Sequence, residues 1–216
     1  MVILNSLVSP PMYVLIPSAY AHIFISGDDA SSFLTLLERL RVEAILANNT
    51  MYSNLTTAQD HILQMLDRID DITDIENDFT ISSLQFDNST VKGLLLANLI
   101  DEALVHYGGA YGIMPQIMID MSYMTRSEAI LDKNISMVNI NKYQTSQEYA
   151  NRAIELFNIM LESSRIENNT NSRELAEGLT SLREAIDNKN TPMKVMMIVH
   201  MQIHPNLQET YNLKLE

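Results

Sequence analysis

The chain has 216 residues, 46% of them hydrophobic, no cysteine, and a formal charge of −13 from 27 acidic and 14 basic side chains. Without cysteine there can be no disulfide, thiolate metal site or cysteine nucleophile, which leaves His, Met and carboxylates for any metal chemistry. The acidity, with Lys and Arg scattered singly, argues against nucleic acid and anionic lipid as partners, since both would repel the surface.

Met1 to Ala21 carries no charged residue and ends in Ala19-Tyr20-Ala21, the small-x-small pattern that a signal peptidase binds in extended form. Residues 1–21 are therefore expected to be a signal peptide and residues 22–216 a single exported helical domain, secreted or pseudoperiplasmic, with His22 as the new amino terminus. Pro10, Pro11 and Pro17 interrupt the apolar stretch, so it is a poor membrane span. No other stretch is long or apolar enough to cross a bilayer, and the mature chain is expected to have no transmembrane segment.

Beyond that point the periodicity is helical. Phe33, Leu37, Leu40 and Ala44 form an apolar stripe after Asp28-Asp29, predicting a first helix from Ala30 to Ala47. A polar connection over Asn48 to Asn54 is followed by Ala58, Ile62, Met65 and Ile69, the stripe of a second helix opened by Thr56 or Thr57 and closing near Asp71. The acidic stretch that reaches Asp78 lacks the glycine and spacing of a calcium loop and reads as a solvated loop. Val91 to Tyr107 gives a third helix with Leu95, Leu99, Ala103 and His106 on one stripe, ended by Gly108-Gly109. No strand precedes those glycines and no Lys-Ser/Thr follows, so they are a breaker and not a phosphate loop.

Met114, Met118, Met121 and Met124 have the spacing of a buried face in a helix from Pro115 to Asp132. Thr145-x-x-Glu148 is a capping box for a helix reaching Ser163, with Ala150, Ala153, Ile154, Phe157 and Met160 inward. Asn171-x-x-Glu174 opens the next, whose stripe is Leu175, Leu179, Leu182 and Ile186, and Thr191 caps a last helix with Pro192 in its first turn. The fold class is thus all-α: an antiparallel helical bundle of about five to seven helices. The likeness of Thr57-Ala58-Gln59-Asp60-His61 to Thr145-Ser146-Gln147-Glu148-Tyr149 allows two fused helical-hairpin repeats, with His61 standing where Tyr149 stands in the other copy.

Chemistry concentrates on histidine and methionine. His200 and His204 are four apart and stand one turn above the other on a helix, beside Met197 and Met201, thioethers that favour copper(I). His61 and His106 fall on or beside the apolar stripes of two other helices, where the ordinary role is a hydrogen-bonded core residue. A free amino-terminal His22 would chelate copper through its amine and ring. The metal-ligand set expected from spacing is therefore His200, His204, His61, His106, His22, Met197 and Met201. No Glu lies between His200 and His204, which excludes the zinc-protease reaction. No Glu stands three before any histidine, as di-iron bundles require, and nothing marks a Ser-His-Asp nucleophile. No enzyme is expected. Asn48, Asn54, Asn88, Asn134 and Asn168 lie in N-x-S/T sequons at segment ends or loops and are glycosylation candidates.

The strings Ser18-Ala19-Tyr20-Ala21-His22, Ser31-Ser32-Phe33-Leu34, Arg41-Val42-Glu43-Ala44, Thr57-Ala58-Gln59-Asp60-His61 and Val199-His200-Met201-Gln202-Ile203-His204-Pro205-Asn206-Leu207 together make the chain resemble a group of small secreted helical proteins of ammonia-oxidising archaea. That resemblance implies an extracytoplasmic, copper-reliant setting, archaeal N-glycosylation, and association with a membrane oxidase such as ammonia monooxygenase. It supplies no ligand set. Two functions are open: a bundle that binds copper through His and Met, or a non-catalytic accessory subunit or interaction module of a cell-surface or membrane complex.

Overall fold

A computed structural model describes residues 29–78, 88–120, 135–163 and 170–213. Its helices are α1 (Asp29–Thr50), α2 (Leu55–Asp78), α3 (Ser89–Ala110), α4 (Pro115–Ile119), α5 (Ile140–Ser163), α6 (Thr170–Asp187), α7 (Pro192–Ile198) and α8 (His204–Tyr211), the last two joined without a break by a π turn over Val199–Ile203. Among the described residues there is no strand, and the all-α bundle expected from the periodicity is what forms.

The axis of the molecule is α3. Val91, Leu94, Leu96, Leu99, Ile100, Ala103, Leu104 and Tyr107 are buried on every side of it, as a helix apolar all round must be. It packs against α1, α4, α5, α7, the π turn and α8. The chain directions follow from paired residues. Ser146 on α5 donates to the Ala103 carbonyl at 2.7 Å while Lys142 lies against Gly109, so α3 and α5 are antiparallel. Asn98 donates to Thr35 at 2.9 Å and Arg39 meets Glu102, so α1 and α3 are parallel. Thr57 reaches Asn141 at 3.2 Å, aligning α2 with α5. Two antiparallel hairpins, α1 with α2 and α3 with α5, thus lie side by side, and α6 with the α7–α8 run covers the other flank of the second.

Several boundaries differ from the sequence reading, each for a local reason. α1 continues through Asn48 and Asn49 because Thr50 turns its hydroxyl back to the Leu46 carbonyl at 2.7 Å. The acidic stretch to Asp78 is helical and belongs to α2, not to a loop. Gly108 and Gly109 do not break α3. Gly108 lies where a Cβ would collide with Met118, so its bare backbone lets α4 close on α3, and the reversal comes at Gly112, with φ of +75°. α4 is short, and Met121 and Met124 fall outside the described residues. Of the expected methionine face, Met118 is buried and Met114 is 62% exposed. Thr145 does not open α5: Asn139 does so, accepting from the Lys142 amide at 3.0 Å, and Thr145 lies within the helix, donating to the Asn141 carbonyl at 2.9 Å. The Thr191 cap and Pro192 start of α7 stand as expected.

Pro205 sits inside the α7–α8 run instead of ending it. A proline has no N–H and its ring crowds the carbonyl four residues back, here Met201. The π turn widens the helix just before the ring, and the His204 amide passes over the His200 carbonyl, its ordinary partner four residues back, to reach Val199.

The faces of α1 and α2 are also rotated from expectation. α1 buries Ser31, Thr35, Leu36, Val42, Glu43, Leu46 and Ala47 and leaves Leu37 39% exposed. α2 buries Thr57, Ala58 and His61, while Ile62 and Ile69, expected inside, are 47% and 43% exposed.

Candidate functional site: a buried histidine–carboxylate centre

The rotation of those two faces carries Arg39 and Glu43 inward, one turn apart on α1. The Glu43 Oε2 atom meets His61 Nδ1 at 2.6 Å, both side chains almost fully buried. A carboxylate on Nδ1 fixes the ring's orientation and directs Nε2 into the core, and that Nε2 has no hydrogen-bond partner.

One turn along α1, Arg39 forms an ion pair with Glu102 of α3. The other Glu102 oxygen stands 3.5 Å from His106 Nε2, a turn further on α3. His106 stacks on Tyr149 of α5 with ring centroids 5.4 Å apart, and its Nδ1 is buried without a partner. Burial by itself would raise the Glu102 carboxyl, yet Arg39 and the bond to His106 hold it down to about 2. Burial first, and then the Glu102 charge, push the Tyr149 hydroxyl well above its ordinary range. Near the same level Arg152 of α5 grips Glu38 of α1 through Nε at 2.5 Å and Nη2 at 2.8 Å, a two-pronged pairing that ties the hairpins together.

A second cluster lies on another flank of α3. His204 donates from Nε2 to Asp101 Oδ1 at 3.0 Å. His200 donates from Nε2 to the Met118 carbonyl at 2.9 Å. The acceptor is a carbonyl, so this nitrogen carries the proton. Burial, and then the neighbouring His204, lower the His200 pKa, which favours the neutral ring. The two rings meet edge to face with centroids 5.1 Å apart.

The expected ligand set is therefore divided. His200 and His204 turn inward, whereas Met197 and Met201 are 46% and 58% exposed and line an outer groove with Met193, Lys194 and Gln202. His61 and His106 belong to the α1–α2–α3–α5 centre, and His22 lies outside the described residues. Among the described residues no three His, Asp or Glu side chains gather closely enough to hold a metal ion. The sequon asparagines Asn48, Asn54 and Asn88 are exposed, while Asn134 and Asn168 lie outside the described residues. Asn54 and Asn88 each cap a helix through Oδ1, at 3.2 Å to Thr57 and 2.9 Å to Thr90, which leaves the amide nitrogen that a glycan would use.

Arg39, Glu43 and Asp101 are not among the residues that spacing singles out, and Tyr149 is reached only as the counterpart of His61 in the repeat. A signal for them existed: Arg39 and Glu43 are an i, i+4 pair, and Glu102 stands four before His106. No family model, curated protein or solved structure matches the chain. Among the described residues no helix is long and apolar enough to cross a membrane.

Proposed function

We propose that the chain is a non-catalytic accessory or interaction module of a cell-surface or membrane-associated complex, working outside the cytoplasm. One observation carries this reading. Helix α2 leaves Leu55, Ile62, Leu63, Leu66 and Ile69 exposed by 64%, 47%, 60%, 53% and 43%, while its buried face is spent on Thr57, Ala58 and His61. A contiguous row of large aliphatic side chains in water is the mark of a surface that another molecule covers. Being only about half exposed, each would gain roughly 1 kcal/mol or a little more on full burial. The location outside the cytoplasm is supported by Ala19-Tyr20-Ala21 and by the exposed sequon asparagines. Extraction of the native protein in mild detergent, followed by sizing, tests the reading: a hetero-complex larger than the 24.5 kDa chain is the expected result, and recovery of the lone chain under every condition sinks it.

A second reading, a transition-metal bundle with copper as the ion, is favoured by His61 and His106. Each has a carboxylate on one ring nitrogen and a buried, unpartnered nitrogen on the other, the arrangement that orients metal-binding imidazoles. Metal analysis of the purified chain with its native amino terminus, repeated on His61→Ala and His106→Ala, decides it. Absence of stoichiometric copper, or retention of copper by both variants, ends this reading.

A further inference from the structure

The arrangement of α2 specifies the kind of partner. Leu55, Ile62, Leu66 and Ile69 are spaced seven, four and three residues apart, so they form one seam along the helix, widened by Leu63. All are exposed. On one side the seam is bounded by buried Ala58 and His61, the latter bonded to Glu43 of α1, with half-buried Met65 in the same row. On the other side run Asp60, Asp67 and Asp71, spaced seven and four and likewise exposed. Asp70 falls beside Leu63. The helix as a whole holds seven acidic residues against the single Arg68. Met51 and Tyr52, 45% and 94% exposed, lie in the turn that leads into α2.

A seam with this spacing fits the side-chain rows of another helix. The charge selects which one. Antiparallel pairing of two copies would set the aspartate rows against each other, and a net charge of −13 on each chain opposes the approach. An anionic lipid surface is repelled for the same reason. A helix with lysine or arginine along one edge of its apolar seam meets the aspartate row with opposite charge and covers the leucines at once.

We infer that α2 receives an amphipathic helix of another protein whose aliphatic seam is flanked by lysine or arginine. The inference rests on the interaction-module reading and adds the chemistry of the partner.

The probes are two synthetic helical peptides that share one Leu/Ile seam, the first with Lys along the flank and the second with Glu. Titrated into the full chain, the Lys peptide binds roughly tenfold or more tighter than the Glu peptide, and the difference shrinks as salt is raised. Ile62→Asp and Leu66→Asp each abolish binding while leaving the thermal midpoint of the chain close to wild type, because both positions face water. A charge-reversed chain, Asp60→Lys with Asp67→Lys and Asp71→Lys, prefers the Glu peptide and guards against the possibility that the seam variants misfold. A photo-reactive residue at position 66 then identifies what lies on the seam. Cross-linking to the Lys peptide supports the inference. Equal affinity for the two peptides, no binding of the Lys peptide, or a cross-link to a second copy or to residues 1–28 of the same chain overturns it. A hetero-complex in mild detergent combined with failure of the Lys peptide would sink the partner chemistry and spare the interaction module.

Discussion

Asp101 and Glu102 are consecutive on α3 and serve different flanks: Asp101 accepts from His204 at 3.0 Å, and Glu102 holds Arg39 and stands 3.5 Å from His106. Successive residues on a helix diverge by about 100°, so an axial helix that is acidic at two adjacent positions presents a carboxylate to both of its flanks. Each flank answers with its own donors, α1 and α3 itself on one side and α8 on the other. Carboxylates that are buried, as Asp101 is, or largely covered, as Glu102 is, are costly unless each is matched. The pair therefore constrains how the α1–α2 hairpin and the carboxy-terminal helices seat on the same axis.

Removing one member of the Glu102 cluster should cost more than removing two. Glu102→Gln leaves the largely covered Arg39 charged with no carboxylate, a loss expected to be roughly 1.5–3 kcal/mol for a part-buried charged pair. Arg39→Met combined with Glu102→Leu removes both charges and should recover most of that loss. Urea unfolding of the two variants and wild type checks the order. The acid limb carries an independent signature. The Glu102 carboxyl titrates near 2 in the folded chain against an ordinary 4.5, so its contribution is complete above 4.5 and is lost as pH falls toward 2. Glu102→Gln should flatten stability over that interval. A double variant no more stable than Glu102→Gln would refute the ion-pair account.

His200 predicts a separate dependence closer to neutrality. Its folded pKa is depressed below the ordinary 6.5, first by burial and then by His204, against the opposing pull of the Met118 carbonyl, Asp101 and Asp120. The unfolded ring takes up a proton before the folded one does, so stability is full above 6.5 and declines as pH falls through the folded value. Thermal midpoints from pH 7.5 to pH 5 should show this decline, and His200→Gln, which keeps a donor for the Met118 carbonyl, should reduce its slope. The interval lies above that of Glu102, so the two effects separate on one curve. A wild-type midpoint that is flat down to pH 5 would show that the ring is not buried neutral.

Periodicity sufficed for α5, α6 and the start of α7, where apolar stripes such as Leu175, Leu179, Leu182 and Ile186 are the buried ones. It misled on α1 and α2 because it assigns the inside to the most apolar arc. There the buried arc contains Thr35, Glu43, Thr57 and His61, tolerable inside because each of these side chains places at least one polar atom on a partner in another turn or helix, His61 through Nδ1 alone. Apart from the bond from Thr35 back to Ser31, these partners lie 18 residues (Glu43 and His61) to 84 residues (Thr57 and Asn141) apart and leave no local pattern. The histidines were visible as residues on stripes; their partners Glu43 and Asp101 were not. The i, i+4 spacing of His200 and His204 suggested a shared ion, but the π turn before Pro205 and the separate acceptors Met118 and Asp101 give each ring its own bond.

Gly93 sets how closely α8 approaches the axis, and filling it tests that contact. In a helix interior Ala should be favoured over Gly by about 1 kcal/mol. A Cβ at Gly93, however, would lie 2.6 Å from Tyr211 Cβ and 2.7 Å from its Cγ. These atoms belong to the root of the side chain and cannot swing aside, so α8 must shift. Gly93→Ala is therefore expected to lose about 1–3 kcal/mol net in spite of its better helix propensity. The same shift should be read directly at Tyr211, whose hydroxyl is pushed up to about 12 by burial and lies 3.6 Å from the Met160 sulfur. Once α8 lifts, that phenol should titrate closer to the ordinary 10, visible as phenolate absorbance appearing at lower pH than in wild type and missing in a Tyr211→Phe control. A variant as stable as wild type, with Tyr211 still titrating late, would mean that α8 does not rest on the bare backbone of α3.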